Sequence, residues 1–253
     1  MTVIYEPRGA AREYAPLAAN LYRGCGHGCR YCYAPACIRT AAADFHAHPA
    51  PRPGVLDALR REAARLPAGA GPVLLCFTCD PYQPIEAEHH LTRQALEILG
   101  GAGVSVRLLT KNPALAMADL ALVVPDRVEF GVSLSWATDA RRQEWEPAAG
   151  TVAERIHGLA VARAVGLATW VSMEPVIDPA EALAALRLVS GHVDMVKVGK
   201  LNHDAAREAL IDWPAFAAEA VAIMRERGQA YYLKHDLWRL CVGRVEGGQS
   251  WSS

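Results

Sequence analysis

Cys25, Cys29 and Cys32, spaced C-x-x-x-C-x-x-C within RGCGHGCRYCYAP, are the residues of this chain best suited to chemistry. Thiolates are soft ligands that select an iron-sulfur cluster or zinc. Gly24, Gly26 and Gly28 surround the first two cysteines, and residues without a side chain let a backbone wrap closely around a bulky inorganic group. Three ligands leave one iron of a four-iron cubane open to something other than protein, which points to catalysis rather than passive electron transfer. Cys37 follows five residues later, either as a fourth thiolate closing a structural site or as a helix residue.

Other reactive side chains fall at the ends of apolar runs. Cys79 ends GPVLLCFTC, within which Cys76 has the setting of a small buried hydrophobe. Cys241 is expected to be structural and His27 a loop residue, and the remaining histidines have no metal-ligand spacing. Asp80 and Glu86 flank the proline-bound stretch DPYQPIE, Lys111 ends LLTK, and Glu174 lies in VSMEP. Ser133 and Ser135, two apart at a strand end, share one face. Lys200, Asn202, Lys234 and His235 lie in the polar stretches GKLNH and YYLKHDLW, candidates for the substrate end.

These residues need a scaffold. At 253 residues and 52% apolar, the chain can build one sizeable core. Strands are expected at 17–22, 71–78, 104–110, 127–135, 168–173, 193–199 and 230–234. Helices are expected around Leu91–Leu99, Pro113–Leu122, Val152–Val165, Pro179–Val189 and Trp213–Arg227. Asn112-Pro113 and Asp178-Pro179 have the form of a capping side chain before an N1 proline, and Thr151 with Glu154 and Asp178 with Glu181 have capping-box spacing. Strands alternating with helices imply an α/β fold with parallel strands buried on both faces. A partial, TIM-like (β/α)6-type barrel is expected, with a doubly wound open sheet as the alternative. It forms one domain over 1–253, with the cluster loop at 24–33, a loop at 49–53 and a frayed tail at 246–253. The cysteine segment then follows the first strand, where ligands bind in parallel α/β folds. No signal-like or membrane-spanning apolar run is present. A cytoplasmic, thiol-reducing compartment is expected, and seven cysteines are an odd number for a disulfide framework. Net charge is -1, although residues 1–65 carry nine Arg against five acids. The balance gives no polyanion-binding surface over the whole molecule.

The cysteine spacing after a first barrel strand resembles the radical S-adenosylmethionine enzymes. RYCYAP, FTCDPYQPIEAEHHLTRQALEIL and the LLTKN strand end resemble their spore photoproduct lyase and DNA photolyase-like branch. The resemblance covers residues 20–135 well and the rest in outline. It implies a 4Fe-4S cluster on Cys25, Cys29 and Cys32, whose open iron binds S-adenosylmethionine. Reductive cleavage then yields a 5'-deoxyadenosyl radical that abstracts hydrogen. It also implies Tyr33 near the adenine, Tyr31 in a radical-relaying tyrosine pair, Lys111 near the cofactor carboxylate and Ser133 or Ser135 on its amino or ribose groups. Asp80 occupies the region of the family's Gly-Gly-Glu motif, whose glycines are missing here. Asp80 and Glu174 are therefore further candidate contacts. Cys79 is a candidate hydrogen donor. A flavodoxin or ferredoxin would supply electrons. The substrate would be DNA or a nucleotide, or else a small molecule or peptide; a non-enzymatic iron-sulfur or zinc module using Cys37 is the remaining alternative.

Overall fold

The computed structural model describes residues 2–121 and 123–241, so the tail expected at 246–253 lies outside the described residues. In chain order the strands are β1 (Ile4–Tyr5), β2 (Leu17–Ala19), β3 (Tyr22–Arg23), β4 (Ala50–Pro51), β5 (Val73–Leu75), β6 (Val106–Thr110), β7 (Val128–Ser133), β8 (Ala168–Met173), β9 (Met195–Val198) and β10 (Tyr231–Leu233). Eight form one sheet in the order β1-β2-β5-β6-β7-β8-β9-β10, while β3 and β4 make a separate ribbon. β1 is antiparallel to β2. All other neighbours in the large sheet are parallel. Seven parallel strands thus build a partial (β/α) barrel that does not close.

Each expected parallel strand is present, because the period-2 patterns that locate them are local. On β7, Val128, Phe130 and Val132 join the main core under the helices. Glu129, Gly131 and Ser133 occupy the opposite face. The strands are therefore buried on both faces as expected, although the lumen face carries polar side chains as well as apolar ones. The lumen side has its own small apolar cluster of Tyr14, Ala15, Ala18, Leu74 and Trp170, and polar groups above it. Full burial of a side chain such as Phe130 or Leu108, each 0% exposed, contributes about 1.5–3 kcal/mol. Gly131 leaves room for the Trp170 ring, which would lie 2.3 Å from an added Cβ.

Five helices, Leu91–Gly101, Pro113–Leu120, Val152–Ala164, Pro179–Val189 and Trp213–Glu226, match the expected positions. Thr151 and Glu154 form the reciprocal capping box. Asp178 caps Ala180 N and Glu181 N at 3.0 and 3.3 Å. Glu181 does not complete a box there; its carboxylate accepts from Ala137 N and Thr138 N, both at 2.9 Å. Asn112 makes no side-chain cap, because its amide donates to Tyr82 O at 3.1 Å. The 49–53 stretch, expected as a loop, supplies β4 to the ribbon, pairing Pro51 with Tyr22 and Ala50 with Arg23. No described helix is long and apolar enough to cross a membrane.

The sheet edges at β1 and β10 leave a seam, and the segment Gly9–Glu13 with Tyr14 fills it. Glu13 O accepts from Lys197 Nζ at 3.0 Å. Glu13 Oε2 accepts from Tyr232 Oη and His235 N, both at 2.8 Å. Arg107 donates to Tyr14 O. The Tyr14 hydroxyl donates to Glu174 Oε2 at 2.5 Å and lies 2.8 Å from Ser172 Oγ.

Candidate cluster and cofactor site

The cysteine loop leaves the barrel after β2 and the first strand of the ribbon. Gly24 (φ +76°) turns it, and an added Cβ would meet Phe45 O at 2.5 Å. That close approach lets Cys25 N donate to Phe45 O at 3.2 Å and His46 Nδ1 donate to Cys25 O at 2.8 Å. Gln83, fully buried, spans the loop with both ends of its amide. Oε1 accepts from Gly26 N at 2.8 Å and Nε2 donates to Gly24 O at 3.3 Å. Cys25 and Cys29 are buried, Cys32 half-buried.

His27 is a structural brace rather than a free loop residue. It is 1% exposed, its Nδ1 donates to Ala148 O at 3.0 Å, and Nε2 lies 3.2 Å from Asp80 Oδ2, off-line for a hydrogen bond. Asp80 also accepts from Thr110 Oγ1 (2.6 Å), Tyr82 N (2.9 Å) and Lys111 N (2.7 Å). Its carboxylate is thus occupied in joining the cysteine loop to the end of β6. Burial alone would raise the Asp80 carboxyl, but His27, Thr110 and Lys111 outweigh it and hold the pKa at about 2. The folded form therefore gains stability above the ordinary carboxyl range and loses it as pH falls toward 2, an amount of about 2 kcal/mol. Asp80→Asn is expected to lose about that much at neutral pH and to flatten the acid limb of a denaturation series; an unchanged acid limb would count against this role.

On the other side of the loop lies a buried charge network that its sequence setting, EWEP, did not signal. The Tyr31 hydroxyl donates to Glu146, and Arg155 donates to Glu146 Oε2 at 2.5 Å, both partners at most 1% exposed. Arg155 also donates to Gly150 O at 3.0 Å and Ser133 O at 2.8 Å. The network thus links the residue before Cys32 to the end of β7. Burial would raise the Glu146 carboxyl, but Arg155 and then Lys111 keep it below its ordinary value. Burial pushes Tyr31 well up, and Glu146 pushes it further.

Lys111 lies at the end of β6 with Nζ 5.9 Å from the Tyr31 ring centroid. Burial would lower its amine, but Cys29, Glu146 and Asp80 outweigh that and keep it cationic. Burial pushes the Cys29 thiol up to about 12 against the opposing pull of Lys111, and raises Cys25 and Cys32. Ligand thiols in this state release protons when they bind metal.

The structure brings Cys25, Cys29, Cys32, Tyr31, Lys111 and Asp80 into this one region. Ser133 and Ser135 are buried at the end of β7. Glu174 belongs to a neighbouring cluster around β8 to β10, where Lys234 Nζ donates to it at 2.5 Å and Asn202 Nδ2 at 3.4 Å. Tyr33 is 38% exposed, donates to Phe77 O at 3.0 Å and stacks on His203 with centroids 5.8 Å apart. Cys79 is buried. Glu86 faces elsewhere, accepting from Leu91 N and Thr92 N at the start of the helix Leu91–Gly101. Cys37 is exposed.

No protein-family model matches the chain. Uncharacterized proteins of Mycobacterium bovis and Mycobacterium tuberculosis are each 29% identical over 180 residues, 68% of this chain and 52% of theirs. The chain therefore spans about half the length of the curated relatives it matches. Among solved structures, a spore photoproduct lyase variant aligns with a TM-score of 0.68 and 14% identity, over 91% of this chain and 79% of that one. The chain has the spore photoproduct lyase fold. Streptococcus suis SuiB bound to S-adenosylmethionine shares it, with a TM-score of 0.64 and 10% identity over 91% of this chain and 53% of that one. A radical SAM methyltransferase from Sphaerobacter thermophilus gives 0.56 and 19% over 86% and 65%. In the spore photoproduct lyase fold as this chain builds it, the cysteine loop lies at the C-terminal ends of the parallel strands.

Proposed function

We propose that this chain is a radical S-adenosylmethionine enzyme of the spore photoproduct lyase-like branch. The observation that carries this reading is the cysteine loop itself, a glycine-turned cradle braced from three sides beside a cationic lysine. The donor set, three soft thiolates in one glycine-rich loop, suits an iron-sulfur cluster. Cys37, exposed at the end of its short helix, adds nothing to a four-thiolate zinc site.

Cys25, Cys29 and Cys32 would hold a 4Fe-4S cluster. When bound, that cluster with S-adenosylmethionine supplies a 5'-deoxyadenosyl radical for hydrogen abstraction. Lys111 presents a point cation suited to the cofactor carboxylate. Ser133 and Ser135 offer hydroxyls and Tyr33 an aromatic face. Asp80 acts by holding the loop in register, and Glu174 orients Tyr14, Asn202 and Lys234 around the lumen. The barrel walls exclude water from the reacting groups. Cys79, buried beside this region, is the candidate hydrogen donor, and Tyr31 the candidate relay partner. A flavodoxin or ferredoxin is the reductant expected, and a cytoplasmic setting suits seven free cysteines.

Spore photoproduct lyase has been captured with a dinucleoside spore photoproduct, and a nucleic-acid substrate is accordingly the reading favoured here over a small molecule or peptide. The test is anaerobic reconstitution with iron and sulfide, reduction with dithionite and addition of S-adenosylmethionine. 5'-Deoxyadenosine is expected from the unaltered chain, and Cys29→Ala is expected to abolish it. A cluster that forms without cleaving the sulfonium would overturn the enzyme reading. Failure to retain DNA at low salt would move the substrate to a small molecule or peptide.

A further inference from the structure

The connection from β9 to the helix Trp213–Glu226 is fixed at its ends and loose between them. Leu201 is 1% and Trp213 5% exposed, whereas no side chain from residue 202 to 212 is buried. Lys200 pairs with Glu208 across the base of the span, and Trp213 Nε1 donates to Glu208 O at 3.0 Å. His203 turns the chain in the left-handed region, at φ +67°. Asp204 Oδ1 then accepts from Arg207 N at 3.1 Å, which starts the short helix Ala205–Glu208. A segment with no buried apolar contact opens at low cost in free energy.

Two ring contacts hold the middle of this span on the cysteine loop. The His203 ring stacks on Tyr33, the residue after Cys32, with centroids 5.8 Å apart and planes 20° apart. The Arg207 guanidinium lies 4.6 Å from the Trp145 ring centroid. Trp145 O in turn accepts from Arg30 N, between Cys29 and Cys32, at 2.9 Å. The span thus touches both flanks of the stretch from Arg30 to Tyr33. Such contacts are weak at exposed sites, and the backbone of His203 is one that costs a non-glycine residue energy. We propose that residues 202–212 are a hinged strap controlling access to the cysteine thiols: it lifts off Tyr33 and Trp145 to admit a ligand of those thiols and settles back on the two rings. The inference deepens the reading of Cys25, Cys29 and Cys32 as the reacting centre, since access to these thiols is access to that centre.

Iodoacetamide is the probe. Its reaction with each cysteine of the metal-free, reduced chain is followed by peptide mass spectrometry. The double variant His203→Gly with Arg207→Gln removes both ring contacts and is expected to label Cys32 about fivefold faster than the unaltered chain. Exposed Cys37 and buried Cys241 are expected to keep their original rates. A Cys32 rate that does not move, or one that rises together with Cys241 as the core loosens, would overturn the proposal. Hydrogen exchange on the unaltered chain decides even where the variant misfolds. Amides 203–210 are expected to exchange about tenfold faster than those of β9 and of the helix Trp213–Glu226; protection equal to theirs would also overturn it. Neither measurement depends on S-adenosylmethionine cleavage, so the strap and the enzyme reading stand or fall separately.

Discussion

Arg155→Met is expected to destabilise the chain by about 3–5 kcal/mol, the cost of leaving a buried carboxylate without its cation. Arg155 and Glu146 are both at most 1% exposed, so water cannot take the place of the lost partner. The same substitution strips donors from Gly150 O and Ser133 O. Chemical denaturation should show a lowered midpoint with an unchanged slope. The double variant Glu146→Gln with Arg155→Met should recover most of the loss, because it removes both charges of the pair. A single-variant loss under about 1 kcal/mol would mean that Lys111 or water compensates Glu146. Because Tyr31 is bonded to Glu146, the single variant should also reconstitute with less iron.

Gly24→Ala should strike the cysteine loop more directly. At φ +76° an L-residue is strained by about 1–2 kcal/mol, and its Cβ would stand 2.5 Å from Phe45 O and 3.0 Å from Pro49 Cα. Both obstacles are backbone, so the loop or the segment behind it must shift. The bond from Cys25 N to Phe45 O would break and carry Cys25 away from its position. Total cost should exceed about 2 kcal/mol, and cluster content on reconstitution should fall severalfold. Gly54, also at positive φ but with nothing within 4 Å of an added Cβ, provides the control. Gly54→Ala should share the strain cost and leave cluster uptake unchanged; equal uptake by the two variants would remove the cradle argument.

How far the chain could be read from its letters follows from the range of the interactions involved. The parallel strands and five main helices were legible because their signals are confined to a few residues: period-2 runs, a Thr151–Glu154 box, Asp178 before a proline. β4 was not, since prolines at 49, 51 and 53 make a loop the natural expectation and its pairing depends on Tyr22, about thirty residues away. The three cysteines could be picked out by spacing, but their braces could not. Gln83 meets Gly26 across 57 residues and Glu146 meets Tyr31 across 115. His27 offered a hint, a bulky side chain set between two glycines. The polar lumen was likewise hidden, since a lysine or glutamate near a strand end has the same local signature whether it faces solvent or Tyr14. Asn112 shows the limit even for local signals, because a neighbouring carbonyl won its amide from the helix start.

The segment filling the barrel seam has a consequence for the timing of assembly. Glu13 bonds to Tyr232 and His235 across 219 and 222 residues, so groups synthesised near the beginning of this sequence wait for groups near its end. Non-local contacts of this kind are the slowest to form. The hydrogen-bonded partners of the cysteine loop lie no later than residue 155 and the His203 ring that Tyr33 stacks on follows, all of which emerge from the ribosome before β10. A chain synthesised as far as residue 203 would thus already hold these partners of the cysteine loop while its lumen still stands open, and β10 would close that side afterwards.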